Sequence, residues 1–399
     1  MFEGILTAPA DPIFGLTDAY RQDSNPEKIN LGAGVYRDER GHTPTLAVVK
    51  EAERRLWQEE DSKSYLPIQG DERFARFSRQ LLLGSNHPLT DDGRLFTVHT
   101  PGGTGGLRLV ADFLARHRPD TTVWLPDPTW LNHPQICAAA GLSTRTYPYL
   151  DSTRRRLGFE RVLMTLTTAA PGDVVTLHGC CHNPSGIDPS PDQWHQLAEL
   201  LEERGAVPLI DFAYLGFGQG LEDDRAGIVT LAERLSEMMV CTSYSKNFGL
   251  YNERVGALTV MAGSPDAAAA VLSQIKSAAR VAYSNPPAHG AAIVSTIMES
   301  EEMFAQLQNE LDGMRQRIAE MRSLFVQGLN QREVALSPDG NEFLLEQYGM
   351  FSFLGLRPEQ VERLRQEYSI YIVGTSRVNF ASMTKSSMDY LCDSVAQVV

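Results

Sequence analysis

The chain has 399 residues, 42% hydrophobic and 22% charged, the make-up of a soluble globular protein long enough for two or three domains. Fifty Asp and Glu against 36 Lys and Arg leave a net charge of −14, which argues against a nucleic-acid or anionic-membrane binder, because both need a basic face. No stretch approaches the ~20 apolar residues of a membrane helix, Met1–Ala10 carries Glu3 and no basic signal-peptide region, and five cysteines without C-x-x-C spacing predict a reducing, cytoplasmic home.

In chain order, the first forty residues, rich in Pro, Gly and Asp, read as an extended arm. The segment TPGGTGGLR (100–108) leads into a helical pattern over Leu107–Arg116. A Gly-rich turn before a helix offers free N–H groups and a positive dipole end to an anion. Its spacing matches neither common nucleotide-binding glycine motif, and an ordinary tight loop has the same composition. Thr122–Leu125, Val174–His178, Val207–Asp211 and Met239–Ser243 read as short apolar strands. Between them lie helical patterns such as Asp192–Arg204, whose Trp194, Leu197, Leu200 and Leu201 share a face and whose stop signal is Gly205. Strands alternating with helices predict an α/β domain with a mostly parallel sheet, whose ligands bind at strand carboxyl ends. Asp266–Leu272 is Ala-rich and reads as helix. The last hundred residues differ: a long helix over Glu301–Asn330, an apolar run at Met350–Leu354, a helix at Pro358–Tyr368, and strand-like Tyr371–Val373 and Arg377–Ala381. They predict a smaller α+β lobe. The expected division is an arm with part of the small domain (1–40), a large domain (41–310) and a small C-terminal domain (311–399).

Four segments carry candidate chemistry. The glycine-rich segment is one. HGCCHNPSG (178–186) follows a strand and places Asn183 at its carboxyl end. Its two His and two Cys are too tightly spaced for a metal site and no second ligand cluster lies at matching distance, so no metal is expected. LIDFAY (209–214) puts Asp211 at the end of an apolar strand, a costly place unless a cation pairs with it or it caps a helix. SYSKNFGLYNERVG (243–256) contains Lys246 after an apolar strand and Arg254 eight residues on. There are six lysines, at 28, 50, 63, 246, 276 and 385, and the other thirty basic residues are arginines. Lys246 is the one whose setting predicts desolvation, a lowered pKa and Schiff-base chemistry. A phosphate nest, a ring-oxygen donor, a carboxylate and an aldehyde-trapping lysine in this order along the chain describe a pyridoxal phosphate site.

The chain resembles the fold-type I pyridoxal-phosphate aminotransferases of the aspartate/aromatic subfamily over nearly its full length. SYSKNFGLYNERVG carries the likeness most strongly. NLGAGVYRDE (30–39), SYLPIQG (64–70), TPGGTGGLR, DPTWLNH (127–133), HGCCHNPSGID (178–188), DFAYLGF (211–217), AYSNPPAHG (282–290), GMFSF (349–353) and SRVNFASM (376–383) are similar as well. The resemblance implies a seven-stranded, mostly parallel sheet in the large domain. It implies that Lys246 would hold the cofactor and shuttle the proton. Asp211 would keep the pyridine nitrogen protonated, with His133 behind it, while Tyr214 and Asn183 would bond the ring oxygen. Trp130 would stack on the ring. Gly103, Thr104, Ser243, Ser245 and Arg254 would hold the phosphate, and Tyr65 would reach it from a second subunit. Arg377, with Gly34, Trp130 and Asn183, would bind the α-carboxylate end of the substrate, and Arg280 of the other subunit a side-chain carboxylate.

The sequence departs from the family pattern at Ser185, Leu215 and Ser64. Val35, Arg37, Thr43, Ser64, Thr104 and Asn285, which the resemblance places around the substrate, are mostly small or polar. The implied activity is a cytoplasmic, homodimeric transamination between an L-amino acid, aspartate favoured, and 2-oxoglutarate. An aromatic-amino-acid aminotransferase, a lyase or decarboxylase on the same fold, and a non-catalytic ligand-binding protein on this scaffold are the alternatives.

Overall fold

The structure is a computed structural model that describes residues 2–7, 13–90, 92–151 and 155–399. Parts of the N-terminal arm and signal-peptide readings, at Met1 and residues 8–12, lie outside the described residues. In chain order the strands are β1 (Ile29–Asn30), β2 (Leu95–Pro101), β3 (Thr122–Asp127), β4 (Ser143–Pro148), β5 (Val174–His178), β6 (Val207–Phe212), β7 (Met238–Ser243), β8 (Val255–Met261), β9 (Phe351–Phe353), β10 (Ile370–Tyr371) and β11 (Arg377–Asn379). The chain divides into two compact units: Pro44–Gln316, and Met1–Thr43 together with Arg317–Val399. The second crossing falls inside the helix Glu301–Gln331.

The larger unit is built on a seven-stranded sheet of order β2-β8-β7-β6-β5-β3-β4. β3 to β7 run parallel, and β8 is antiparallel to both its neighbours. β5 and β7 are buried at every position, which is why they read as continuous apolar runs and not as alternating ones, and β8 is buried throughout as well. The helices Gly102–His117 and Pro265–Ala282 pack on the sheet through Leu107, Val110, Leu114, Ala268 and Ile275, against Val98, Leu258 and Val260. The helix Pro191–Arg204 starts at a capping box, in which Ser190 and Gln193 satisfy each other's free N–H, and stops at left-handed Gly205. These two ends fix its length from sequence alone.

The smaller unit holds the helix Phe14–Gln22, the parallel pair β1–β10, the antiparallel pair β9–β11, and the helices Pro358–Tyr368 and Met388–Val398. The first forty residues are thus not simply an extended arm: Ile29 pairs with Ile370, and residues 14–22 are helical. Tyr371–Val373 is strand only at its first residue, with Ile370 before it, and β11 stops at Asn379, where the Asn379 side chain accepts from the Ala381 N–H and turns the chain into a 3₁₀ segment. The helix expected over Leu107–Arg116 begins earlier, at Gly102, so the glycines form its first turn and not a loop before it.

Candidate active site

Five chain segments converge because the sheet brings them to one edge. β5, β6 and β7 are parallel, and their register pairs His178 with Asp211 and Phe212 with Thr242. β8 starts at the same edge, where Gly256 pairs with Ser243 on one side and with Thr100 on the other. The carboxyl ends of β2, β5, β6 and β7 and the start of β8 therefore deliver Gly102, Asn183, Asp211, Ser243, Ser245, Lys246 and Arg254 to one region, where parallel sheets bind ligands.

A cradle forms where β2 and β8 meet. A Cβ on Gly256 would stand 2.3 Å from the Gly102 carbonyl carbon, so only glycine lets the two backbones approach this closely. Gly102 itself has φ +71°, and the helix that starts there has no side-chain cap. Its first N–H groups, with Gly103 buried among them and Thr104 half-buried, face the same region as Ser243 and Ser245, whose hydroxyls are 3.2 Å apart. Arg254, a non-glycine residue at φ +56°, donates from Nη1 to Ser245 Oγ at 3.2 Å and to the Tyr251 carbonyl at 3.1 Å. Backbone amides at a helix start, two hydroxyls and a guanidinium make a donor set for a phosphate dianion.

Lys246 follows β7. It is partly covered, and its Nζ lies 4.8 Å from the centroid of the Tyr214 ring. Burial pulls its pKa down to about 8, with the Arg254 charge in the same direction and Asp211 opposing. Asp211 is buried at the end of β6, and its Oδ2 is 3.0 Å from His133 Nε2. Burial alone would raise its pKa; the His133 bond and the charges of His133, His178 and Lys246 more than offset this and hold it below the ordinary carboxylate value. His133 Nδ1 is 2.7 Å from Thr129 Oγ1, and Trp130 stands edge-on to the His133 ring. Asn183 and Tyr214 are buried in the same unit.

The structure also assembles what sequence spacing hides. His178 packs between His133 and His182, with ring centroids at 5.3 and 4.4 Å, and neither of its ring nitrogens finds a partner among the described residues. The donor atoms of His133, His178 and Asp211 lie within 4.8 Å of one another, a set of metal-ligand types that only the fold brings together, since His133 is remote from His178 in the chain. Asp188 and Asp224 each accept backbone N–H bonds from the loops beside Asn183 and Tyr214, which the motif reading overlooked.

Tyr65 and Arg280 are not buried with this group. Tyr65 is 92% exposed, and Arg280, in the last turn of Pro265–Ala282, is exposed with its Nη1 against the hydroxyl of Ser284. In the smaller unit, Arg377 is buried on β11, donates to the Gly32 carbonyl at 2.7 Å and lies 4.2 Å over the Phe351 ring. A Cβ on Gly34 would meet that ring at 3.2 Å.

The profile of the family described as "Aminotransferase class I and II" matches residues 26–395. An aspartate aminotransferase of Salmonella typhi is 50% identical over 399 residues, covering all of both chains. An aromatic-amino-acid aminotransferase of Pseudomonas aeruginosa is 45% identical over 397 residues, covering 100% of this chain and 98% of its own. Among solved structures, the aromatic-amino-acid aminotransferase of Burkholderia pseudomallei covalently bound to pyridoxal phosphate superposes with a TM-score of 0.96 at 41% identity, over 100% of this chain and 99% of that one. The chain belongs to the class I and II aminotransferases, in the branch that holds aspartate and aromatic-amino-acid enzymes.

Proposed function

We propose that this chain transfers the amino group of an L-amino acid to 2-oxoglutarate by a two-stage cycle on pyridoxal phosphate, with aspartate preferred to aromatic donors. The observation that carries it is the pairing, at one sheet edge, of a partly covered lysine of lowered pKa with a buried, His-supported carboxylate and a glycine cradle. The donor set fits the cofactor group by group. Gly103, Thr104, Ser243, Ser245 and Arg254 would hold its phosphate, Asp211 its pyridine nitrogen, Asn183 and Tyr214 its ring oxygen, and Trp130 its face. When bound, the cofactor supplies an aldehyde for amino groups and a ring that accepts the electron pair released at the substrate's Cα.

The chain's own residues do the rest. Lys246 Nζ, with a pKa near working pH, takes and returns a proton without a large energetic mismatch. Asp211 stays ionised and so holds a proton on the group it faces, and His133 and Thr129 fix its orientation. Arg377, held by Gly32 and the Phe351 ring, presents a guanidinium to an α-carboxylate. Tyr65 and Arg280, exposed on the single chain, would complete the site of a second copy in a homodimer. A cationic Arg280 and small or polar neighbours favour a donor with a second carboxylate. The aspartate aminotransferase of Salmonella typhi at 50% identity agrees with this, and the aromatic enzyme of Pseudomonas aeruginosa at 45% keeps aromatic donors as the second reading. We further propose that the enzyme works in the cytoplasm, without a metal, nucleic-acid or membrane partner.

Half-reactions test the proposal. Holoenzyme is mixed with aspartate, glutamate, tyrosine or phenylalanine in turn, and the cofactor absorbance and products are followed. Fast conversion with the dicarboxylates and formation of the matching 2-oxo acid is expected. Release of carbon dioxide or ammonia in its place would establish a decarboxylase or lyase.

A further inference from the structure

Two acids outside the cofactor-facing group are built into the loops that present it. Asp188 is partly buried and Asp224 is buried at 7% exposure. Asp188 accepts the Cys181 N–H at 2.6 Å and the His182 N–H at 2.8 Å, one on each oxygen. Asp224 accepts from Gly216 at 2.8 Å, Gly218 at 3.0 Å and Gln219 at 2.7 Å. The bonds of Asp188 end one residue before Asn183, and those of Asp224 begin two residues after Tyr214. Cys181 has φ +51°, a left-handed conformation that a non-glycine residue keeps only when its surroundings over-determine it. The two loops also meet: the Cys180 and Cys181 thiols and an Asp224 oxygen lie within 4.8 Å of one another. Burial holds both carboxyls above their ordinary pKa range, and the like charge of Asp224 adds to the push on Asp188. A carboxylate kept in such a place for packing alone is poorly matched to it, whereas one that orders a strand-end loop through its amides has a reason to be there.

We propose that Asp188 and Asp224 are positioning residues of the cofactor site, each clamping through backbone N–H bonds the loop that aims one ring-oxygen donor, Asn183 or Tyr214. The proposal rests on the roles given above to those two donors. Asparagine at either position keeps the shape but turns one acceptor into a donor, so at least one loop N–H loses its partner and the loop shifts.

The test is the pH titration of the absorbance of the pyridoxal-phosphate holoenzyme. Donors to the ring oxygen stabilise its anionic form, so losing one moves the midpoint up. Asn183→Ala and Tyr214→Phe set the reference shifts. Asp188→Asn is expected to move the midpoint in the same direction as Asn183→Ala, by about threefold or more in the acid constant, and the double variant to add nothing further. Asp224→Asn is expected to pair in the same way with Tyr214→Phe, and gives an independent arm should Asp188→Asn not fold. A lowered melting temperature with an unmoved midpoint, or shifts that simply add in the double variants, would overturn the clamping role. If Asn183→Ala and Tyr214→Phe themselves leave the midpoint in place, the donor roles fail first and the clamps with them, which distinguishes the two failures.

Discussion

His133 Nε2 lies 3.0 Å from Asp211 Oδ2, both side chains buried at the carboxyl edge of the sheet. A buried carboxylate of this kind would ordinarily take up a proton. The histidine bond and the Lys246 charge reverse that tendency and keep Asp211 an anion. Thr129 Oγ1, 2.7 Å from the other ring nitrogen, fixes the ring and so the direction in which Asp211 points.

Asp211→Asn is expected to leave the melting temperature nearly unchanged and to reduce kcat by about 10²-fold or more, since an amide cannot hold a proton on the facing nitrogen by charge. Stopped-flow half-reactions with aspartate should place the loss in the step that breaks the Cα–H bond, with cofactor affinity changed far less. Wild-type kinetics in this variant would reduce Asp211 to a structural cap.

Lys246 sets a pH dependence of its own. Its pKa near 8 means that the neutral, nucleophilic amine is gained around pH 8 and not around its ordinary 10.5. Covalent capture of pyridoxal phosphate by the cofactor-free enzyme should therefore rise with pH to a plateau with a midpoint near 8, and borohydride should fix the label on Lys246. The unfolded chain still binds this proton between pH 8 and 10.5 while the folded one does not, so this group makes the cofactor-free protein more stable as pH rises across that window. A label on Lys276 or Lys63, or a capture midpoint above 10, would contradict the assignment.

The chemistry was more legible in the sequence than the frame that holds it. Lys246 and Asp211 stand at the ends of apolar strands, where local pattern alone singles them out. β4 passed unnoticed because its residues, STRTYP, are polar at a sheet edge where four of six positions are exposed. β2 and β8 escaped because their pairing is long-range, Leu95 with Met261, so no short turn joins them as a hairpin. The helix start at Gly102 was hidden because four glycines read as loop by propensity, while the fold uses their small size to bring β8 against the first turn. The bonds of Asp188 and Asp224 run from side chain to backbone across five to eight residues, a relation no residue-type pattern encodes.

Gly256→Ala isolates that close approach. The new Cβ would meet the Gly102 carbonyl carbon at 2.3 Å and the Gly103 nitrogen at 2.6 Å, both backbone atoms that no rotamer change moves aside. Overpacking of this kind costs about 1–3 kcal/mol. The strain falls on the helix start proposed to hold the phosphate, so cofactor dissociation should accelerate by more than the fall in stability of the cofactor-free protein accounts for. Equilibrium dialysis against thermal melts of both forms measures the two effects. Equal melting-temperature losses with and without cofactor would show that the cradle does not touch the phosphate.

Two arginines separate the substrate classes. Arg377 is buried and pinned by the Gly32 carbonyl and the Phe351 ring, as suits a group that reads the α-carboxylate every substrate carries. Arg280 is exposed on the single chain, with its Nη1 against the Ser284 hydroxyl, as suits a group that meets a second carboxylate from a neighbouring copy. Removing one partner of a closed, charge-assisted pair leaves the other unpaired at a cost of about 2–5 kcal/mol, which is roughly 30- to 5,000-fold in kcat/KM. Arg280→Leu should therefore lower kcat/KM for aspartate by that factor while sparing or improving phenylalanine, whose ring needs no cation. Arg377→Leu should depress both alike. Each variant is judged by the ratio of its two substrates, so general damage to the fold cancels. A mixture of Lys246→Ala and Arg280→Asp subunits, each inactive with aspartate alone, should recover activity, because a hybrid dimer contains one site with both residues intact. Equal loss for aspartate and phenylalanine in Arg280→Leu, with no recovery in the mixture after verified subunit exchange, would mean that Arg280 does not read the side chain and that the dicarboxylate preference has another origin.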